Sequence, residues 1–224
     1  EFVIAYRDSY YYSGRIYIRR CHYDNGWNLS SVVDVSNFGG TSRDYTMPKL
    51  AKLTNNRFIV VWDGYRTLSD NSGKGVFARI YDRNLTSLKS TFRVNNYTSY
   101  EQAYPDVVGL ENGGFAITYY GYGSGSLNYD IWLRRYNSVY NAESIEERVN
   151  QDSYSTGHDY YSSMTQLTDG SLVVVWKSSG GEILGQRLDS DGARIGNEFQ
   201  VNLQYTLNTQ DRPNVTALPN NQFA

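Results

Sequence analysis

One phrase recurs along this chain, and a chain that repeats itself at nearly constant spacing folds as stacked copies of one small unit. Counting from Pro105, leucine stands at +5 (Leu110), asparagine at +7 (Asn112), phenylalanine at +10 (Phe115) and tyrosine at +14 (Tyr119). From Pro48 the same offsets give Leu53, Asn55, Phe58 and Trp62; from Ser162 they give Leu167, Asp169, Leu172 and Trp176. Pro213 gives Leu218, Asn220 and Phe223, while Phe2 and Tyr6 fall where Phe115 and Tyr119 fall. These anchors are 57, 57 and 51 residues apart.

The remainder of each unit also recurs. A polar loop leads to IYIRRCHYD at 16–24, VFARIYD at 76–82, IWLRRYN at 131–137 or ILGQRLD at 183–189. A shorter segment follows: SVVDVSN at 31–37, FRVN at 92–95, RVN at 148–150 and FQVN at 199–202. Each unit therefore reads as four short strands, A to D, joined by turns. In FIVVW, Phe58, Val60 and Trp62 face one way and Ile59 and Val61 the other, so both faces of the sheet need cover. Radial stacking supplies it, because each blade buries its faces on its neighbours. The expected fold is all-β: a β-propeller of four four-stranded blades, a stack of sandwiches being the competing architecture. The blades run approximately over 1–45 with 212–224, 46–102, 103–160 and 161–211, as one domain over 1–224. The N- and C-terminal strands would share a blade, residues 1–7 pairing with 213–219; alternatively the four blades are a segment of a longer array.

Composition supports strands and restricts partners. Tyrosine supplies 22 of the 224 residues, with only four prolines, and aromatic side chains suit a pleated surface. Twenty-one basic and 23 acidic residues are intermixed for a formal charge of −2, which argues against nucleic acid and against a polybasic membrane anchor. No apolar run approaches the roughly 18 residues of a spanning helix, so membrane insertion is not expected. Cys21 is alone and decides no compartment.

The phrase P-x-V-x-x-L-x-N-G-G-F is carried by Pro105, Val107, Leu110, Asn112, Gly113, Gly114 and Phe115, and its continuation by Ile183, Arg187, Asp189, Phe199, Val201 and Asn202. It resembles the repeats of roughly 50 residues found in large secreted or surface proteins of bacteria and protists. The likeness covers essentially the whole chain. It implies an extracellular or cell-surface propeller scaffold and no activity of its own. Ser162 departs from the pattern.

Catalytic candidates are sparse. His22 and His158 are the only histidines, and His22 holds the position of Asp82, Asn137 and Asp189. Cys21 holds that of Tyr81, Tyr136 and Leu188, a packing position. The sialidase-like hallmark S-x-D-x-G-x-x-W has no match, SDNSGKGV at 69–76 lacking its spacing and tryptophan. Arg19, Arg20, Arg134, Arg135 and Arg187 recur on strand C and read as links between blades rather than as one carboxylate clamp. No cofactor is expected; calcium is the one metal the oxygen-rich stretches at 7–14, 69–75 and 189–196 could hold, and none has EF-hand spacing.

Four sequons mark candidate N-glycosylation sites at Asn28, Asn84, Asn96 and Asn214. Tyr10, Tyr11 and Tyr12 are candidate ligand-contact aromatics, with further tyrosines at 119–122 and 160–161. The expectation is a non-enzymatic extracellular structural or adhesive scaffold, a candidate for glycosylation and fibre formation, with protein partners or self-assembly and with glycans as further ligands. A lectin-like propeller is the alternative and a glycosidase-like propeller the second alternative.

Overall fold

The structure, a computed structural model, describes all residues except 9–13, 37–44, 66–72, 126, 152–156 and 205–207, and only the backbone of 45–47. Tyr10, Tyr11 and Tyr12 therefore lie outside the described residues. The described chain is all-β, with four antiparallel four-stranded sheets. The first holds β1 (Phe2–Asp8), β2 (Arg15–Tyr23), β3 (Trp27–Leu29) and β4 (Val33–Asp34), the last two both pairing with β2. In the second, β5 (Tyr45–Leu53), β6 (Arg57–Tyr65), β7 (Lys74–Asp82) and β8 (Ser87–Arg93) lie in chain order. β9 (Gln102–Gly109), β10 (Phe115–Gly121), β11 (Asp130–Tyr136) and β12 (Glu147–Arg148) form the third, and β13 (Asp159–Gln166), β14 (Leu172–Ser178), β15 (Ile183–Leu188) and β16 (Arg194–Gln200) the fourth. A hairpin of β17 (Ala217–Leu218) and β18 (Gln222–Phe223) follows. Among the described strand pairs, β1 pairs with β2 alone and β17 with β18 alone.

The chain divides into two compact units, Glu1–Ala103 and Tyr104–Ala224. In each, strand B of one sheet packs on strand A of the next: β1 on β5, and β10 on β13. The first unit's core joins Ile16, Ile18 and Val35 of one sheet to Phe58, Val60, Trp62, Phe77 and Tyr81 of the other. In the second unit Leu167, Val173 and Val175 are covered by Val215, with Phe199 and Ala217 against them.

The repeated residues have repeated tasks. The Val-Asn pair of strand D clasps the start of strand C. Asn95 Oδ1 accepts from Val76 N–H at 2.9 Å, Asn150 Oδ1 from Ile131 at 3.1 Å and Asn202 Oδ1 from Ile183 at 2.8 Å. Val94, Val149 and Val201 return a bond from their own N–H to the carbonyl of that same strand-C residue, each at 2.8 Å. In the first sheet Ser36 Oγ replaces the asparagine, accepting from Ile16 N–H at 3.1 Å.

Turns are equally regular. Asp82, Asn137 and Asp189 each accept two backbone N–H groups on one Oδ1, closing the turn from strand C to D. Asn55 and Asn56 (φ 58° and 56°), like Asn220 and Asn221 (60° and 58°), carry two left-handed residues in succession, the requirement of a type I′ hairpin.

Burial also sets a pH limit. It pushes the Tyr81 phenol from 10.0 up to about 12, and the Tyr136 phenol likewise to about 12, with nearby Arg79 and Arg134 opposing the rise. Both hold their protons more tightly folded than unfolded. Their contribution to stability is present in full below pH 10 and is lost as pH rises towards about 12. The urea midpoint is expected to hold through mild alkali and to fall across that window, with ultraviolet titration showing these phenols ionising late. A midpoint that stays level to pH 12 would refute this.

Candidate functional site

The four sequon asparagines are all exposed. Asn28 lies on β3; Asn84 lies in a C-to-D turn, where its Oδ1 accepts from Arg20 Nη1 at 3.1 Å. Asn214 Oδ1 accepts from Ser163 Oγ at 2.9 Å. His22 is exposed and Cys21 buried. The strand-C arginines make equivalent links between sheets: Arg20 Nη1 donates to the Arg83 carbonyl at 3.3 Å, and Arg135 Nη1 to the Ser190 carbonyl at 3.1 Å. Arg187 instead pairs with Asp169 of its own sheet. In the 189–196 stretch the Asp189 carboxylate is used by its turn, and among the described residues no three His, Cys, Asp or Glu side chains gather as a metal site. A cavity of ≈420 Å³ in the first unit is lined by apolar Phe2, Val3, Leu50 and Phe58 with Arg57 and Arg83 beside them.

Breaks in the repeat are more informative. In the second sheet Asn95 Nδ2 donates to Gln102 Oε1 at 3.0 Å, and in the fourth Asn202 Nδ2 donates to Gln210 Oε1 at 2.7 Å. Gln102 and Gln210 both stand three residues before the strand-A anchor. At the clasp of the third sheet that place belongs to Asp159, the first residue of β13 in the next sheet, and Asn150 Nδ2 donates instead to Asp130 Oδ1 at 2.9 Å. The Asp159 N–H donates to the Tyr129 carbonyl at 2.8 Å, which joins the backbones that carry the two acids. Asp130 is 1 % exposed and Asp159 2 %, and Arg148 Nη1 lies 3.7 Å from Asp130 Oδ1. A third acid, Asp106 on β9, is also buried and accepts the Met164 N–H at 2.8 Å.

Tyrosines surround this end of the second unit. Tyr120 of β10 is a buried hub, stacked on Tyr104 at 5.5 Å and edge-to-face with Tyr129, Tyr160 and Tyr161 at 5.2, 5.3 and 5.9 Å. The outer rings touch in turn: Tyr104 with Tyr161 at 4.7 Å, Tyr161 with Tyr160 at 5.8 Å, and Tyr160 with Tyr129 at 5.6 Å. Tyr122 and His158 flank Tyr129, and His158 Nδ1 accepts the Tyr129 N–H at 2.9 Å, leaving the proton of the neutral ring on Nε2. The Arg212 guanidinium lies 5.6 Å from the Tyr161 ring centre.

Three of these residues share an unusual backbone. Tyr104, Tyr161 and Arg212, each immediately before its strand-A anchor, have φ of 53°, 55° and 50°. Side-chain-bearing residues adopt the left-handed region at a cost, and such residues concentrate at functional sites. Neighbouring Tyr119 is different: its buried hydroxyl donates to Glu146 Oε1 at 2.6 Å, and burial, with Glu146 adding to it, holds the phenol well above its ordinary range.

Together these features define a β-propeller-like all-β protein with an acidic, tyrosine-rich end in its second unit. No protein-family model matches the chain, and no curated protein matches it. Among solved structures it is similar to a Penicillium chrysogenum α-L-arabinanase complexed with arabinobiose, at 15 % identity and a TM-score of 0.62 over 97 % of this chain and 63 % of that one. It is also similar to a GH93 α-L-arabinofuranosidase of Fusarium graminearum with arabinobiose, at 14 % identity and a TM-score of 0.61 over 96 % of this chain and 62 % of that one. A third is an Aleuria aurantia lectin in complex with Fucα1-6GlcNAc, at 12 % identity and 0.53 over 97 % and 68 %. The chain thus spans less than two thirds of the length of either enzyme. These likenesses overturn the expectation of a non-enzymatic structural or adhesive scaffold, and with it the expectation that the chain is not an enzyme. The fold so matched is shared by an arabinanase, an arabinofuranosidase and a lectin.

Proposed function

We propose that the chain is a glycosidase-like propeller that cleaves the bond between neutral sugar units, its four-stranded sheets serving as blades. One observation carries this reading: where the clasps of two other sheets are completed by a glutamine from the chain that follows, the third sheet's clasp is followed by Asp159, its backbone bonded next to Asp130 and close to the tyrosines. Glycoside hydrolysis characteristically uses two carboxyl groups, one as acid to the leaving oxygen and one as base or nucleophile. Asp159 takes the acid role in this reading. Asp130, oriented by the Asn150 amide and facing Arg148, takes the other. The arabinobiose complexes of the two enzymes of similar fold support arabinan as the first substrate to try.

The test is release of reducing ends from arabinan and arabinobiose by the whole chain. Activity is expected, with Asp159→Asn lowering it by at least about a hundredfold at unchanged circular dichroism. No release by the parent chain, or an Asp159→Asn variant as active as the parent, would overturn the proposal.

A further inference from the structure

We propose that Tyr104, Tyr161, Tyr160 and Tyr129, arranged around Tyr120, form a stacking surface for two or more consecutive units of a neutral sugar chain, with Arg212 closing one end. This deepens the proposed function and rests on it for the ligand class alone.

Three features support it. First, Tyr104, Tyr129, Tyr160 and Tyr161 are half-buried around a hub that is 6 % exposed, whereas Tyr119 on the adjoining strand position is fully buried with its hydroxyl bonded to Glu146. Rings that served packing alone would be enclosed as Tyr119 is. A half-buried tyrosine offers a flat apolar surface together with a hydroxyl, and the C–H face and hydroxyl rim of a sugar have the same two characters. Second, the left-handed backbone recurs at Tyr104, Tyr161 and Arg212, where asparagine or glycine would relieve it. Large side chains kept at a strained position point to a task that needs those side chains. Third, the cations nearest the rings are already engaged by acids: Arg148 faces Asp130, and Lys177 lies 3.6 Å from exposed Asp211. Buried Asp159 and Asp106 add negative charge at this end, which disfavours an anionic ligand. The contiguous run of outer rings from Tyr104 to Tyr129 suits a chain of sugar units better than a single one.

The probes are arabino-oligosaccharides of one to four units and, as a charged control, an oligogalacturonate of equal length, followed by calorimetry and by tyrosine fluorescence. Measurements use the parent chain and the Asp159→Asn variant, so that binding is read apart from hydrolysis. Affinity is expected to rise from one unit to three. Tyr161→Gly, which removes the ring and relaxes the backbone, is expected to weaken binding at least tenfold without lowering the melting temperature, and Tyr161→Phe to retain most of the affinity. Binding without hydrolysis would sink the glycosidase reading and leave this one standing. Equal affinity for one unit and three, preference for the charged control, or full binding by Tyr161→Gly would overturn it, as would absence of binding to the parent.

Discussion

Truncating Trp62 to alanine is expected to remove about 3–5 kcal/mol of unfolding free energy. The indole is fully buried, set at 6.3 Å from the Phe77 ring, in a core shared by two sheets of the first unit. Ile16, Ile18 and Val35 come from one sheet and Val60, Phe77 and Tyr81 from the other, so neither side can collapse into the void without separating its strands. The repeat explains why a large aromatic stands here, since Trp62, Tyr119 and Trp176 occupy one position and each is fully buried. Trp62→Phe should cost much less, because most of the volume remains. Urea titration of the three proteins checks this, and a cost under 1 kcal/mol for the alanine variant would contradict the packing described.

A comparable loss is expected from Lys74→Met, for a different reason. Lys74 Nζ lies 3.6 Å from Asp63 Oδ1, and the Asp63 side chain has no exposed surface. Removing the ammonium takes away a cation that faces a fully enclosed carboxylate, a change that costs about 3–5 kcal/mol in comparable buried pairs. Glu101 Oε1, 3.9 Å from the same ammonium, is 32 % exposed and can return to solvent. Asp63→Asn combined with Lys74→Met should recover much of the loss, since the enclosed carboxylate charge is then removed together with its cation. A double-mutant cycle measures the coupling. Additive costs would show that the pair does not interact.

Much of this architecture can be read in the sequence because each repeated residue serves a repeated physical need. The Val-Asn pair marks the clasp of strand D, Asp82, Asn137 and Asp189 mark turns, and the Phe-to-Trp segments mark strands buried on both faces. The tyrosine surface is less legible, since its rings come from 104, 120, 129, 160 and 161, and only strand pairing brings them together. The left-handed positions also gave no warning, because tyrosine and arginine carry none of the composition cues of glycine or asparagine. Asp159 was within reach: aligned three residues before its anchor, it is the acid among two glutamines, a difference whose meaning needs the hydrogen bonds that surround it.

The clasp between strands C and D has a further consequence. Its two partners are 19 residues apart in the second, third and fourth sheets, and both belong to the same sheet. The outermost strand is thus fastened within its own repeat, and the next repeat adds to that hold, as where Arg194 donates to the Val149 and Asn150 carbonyls. Neighbours meet through side chains and a few bonds, as at Arg20 and Arg135. A gene that copied one such segment would deliver a part already fastened along its rim, needing only a compatible face on either side. Asp159 shows the other half of that freedom: one copy can trade a fastening glutamine for an acid while its siblings keep theirs.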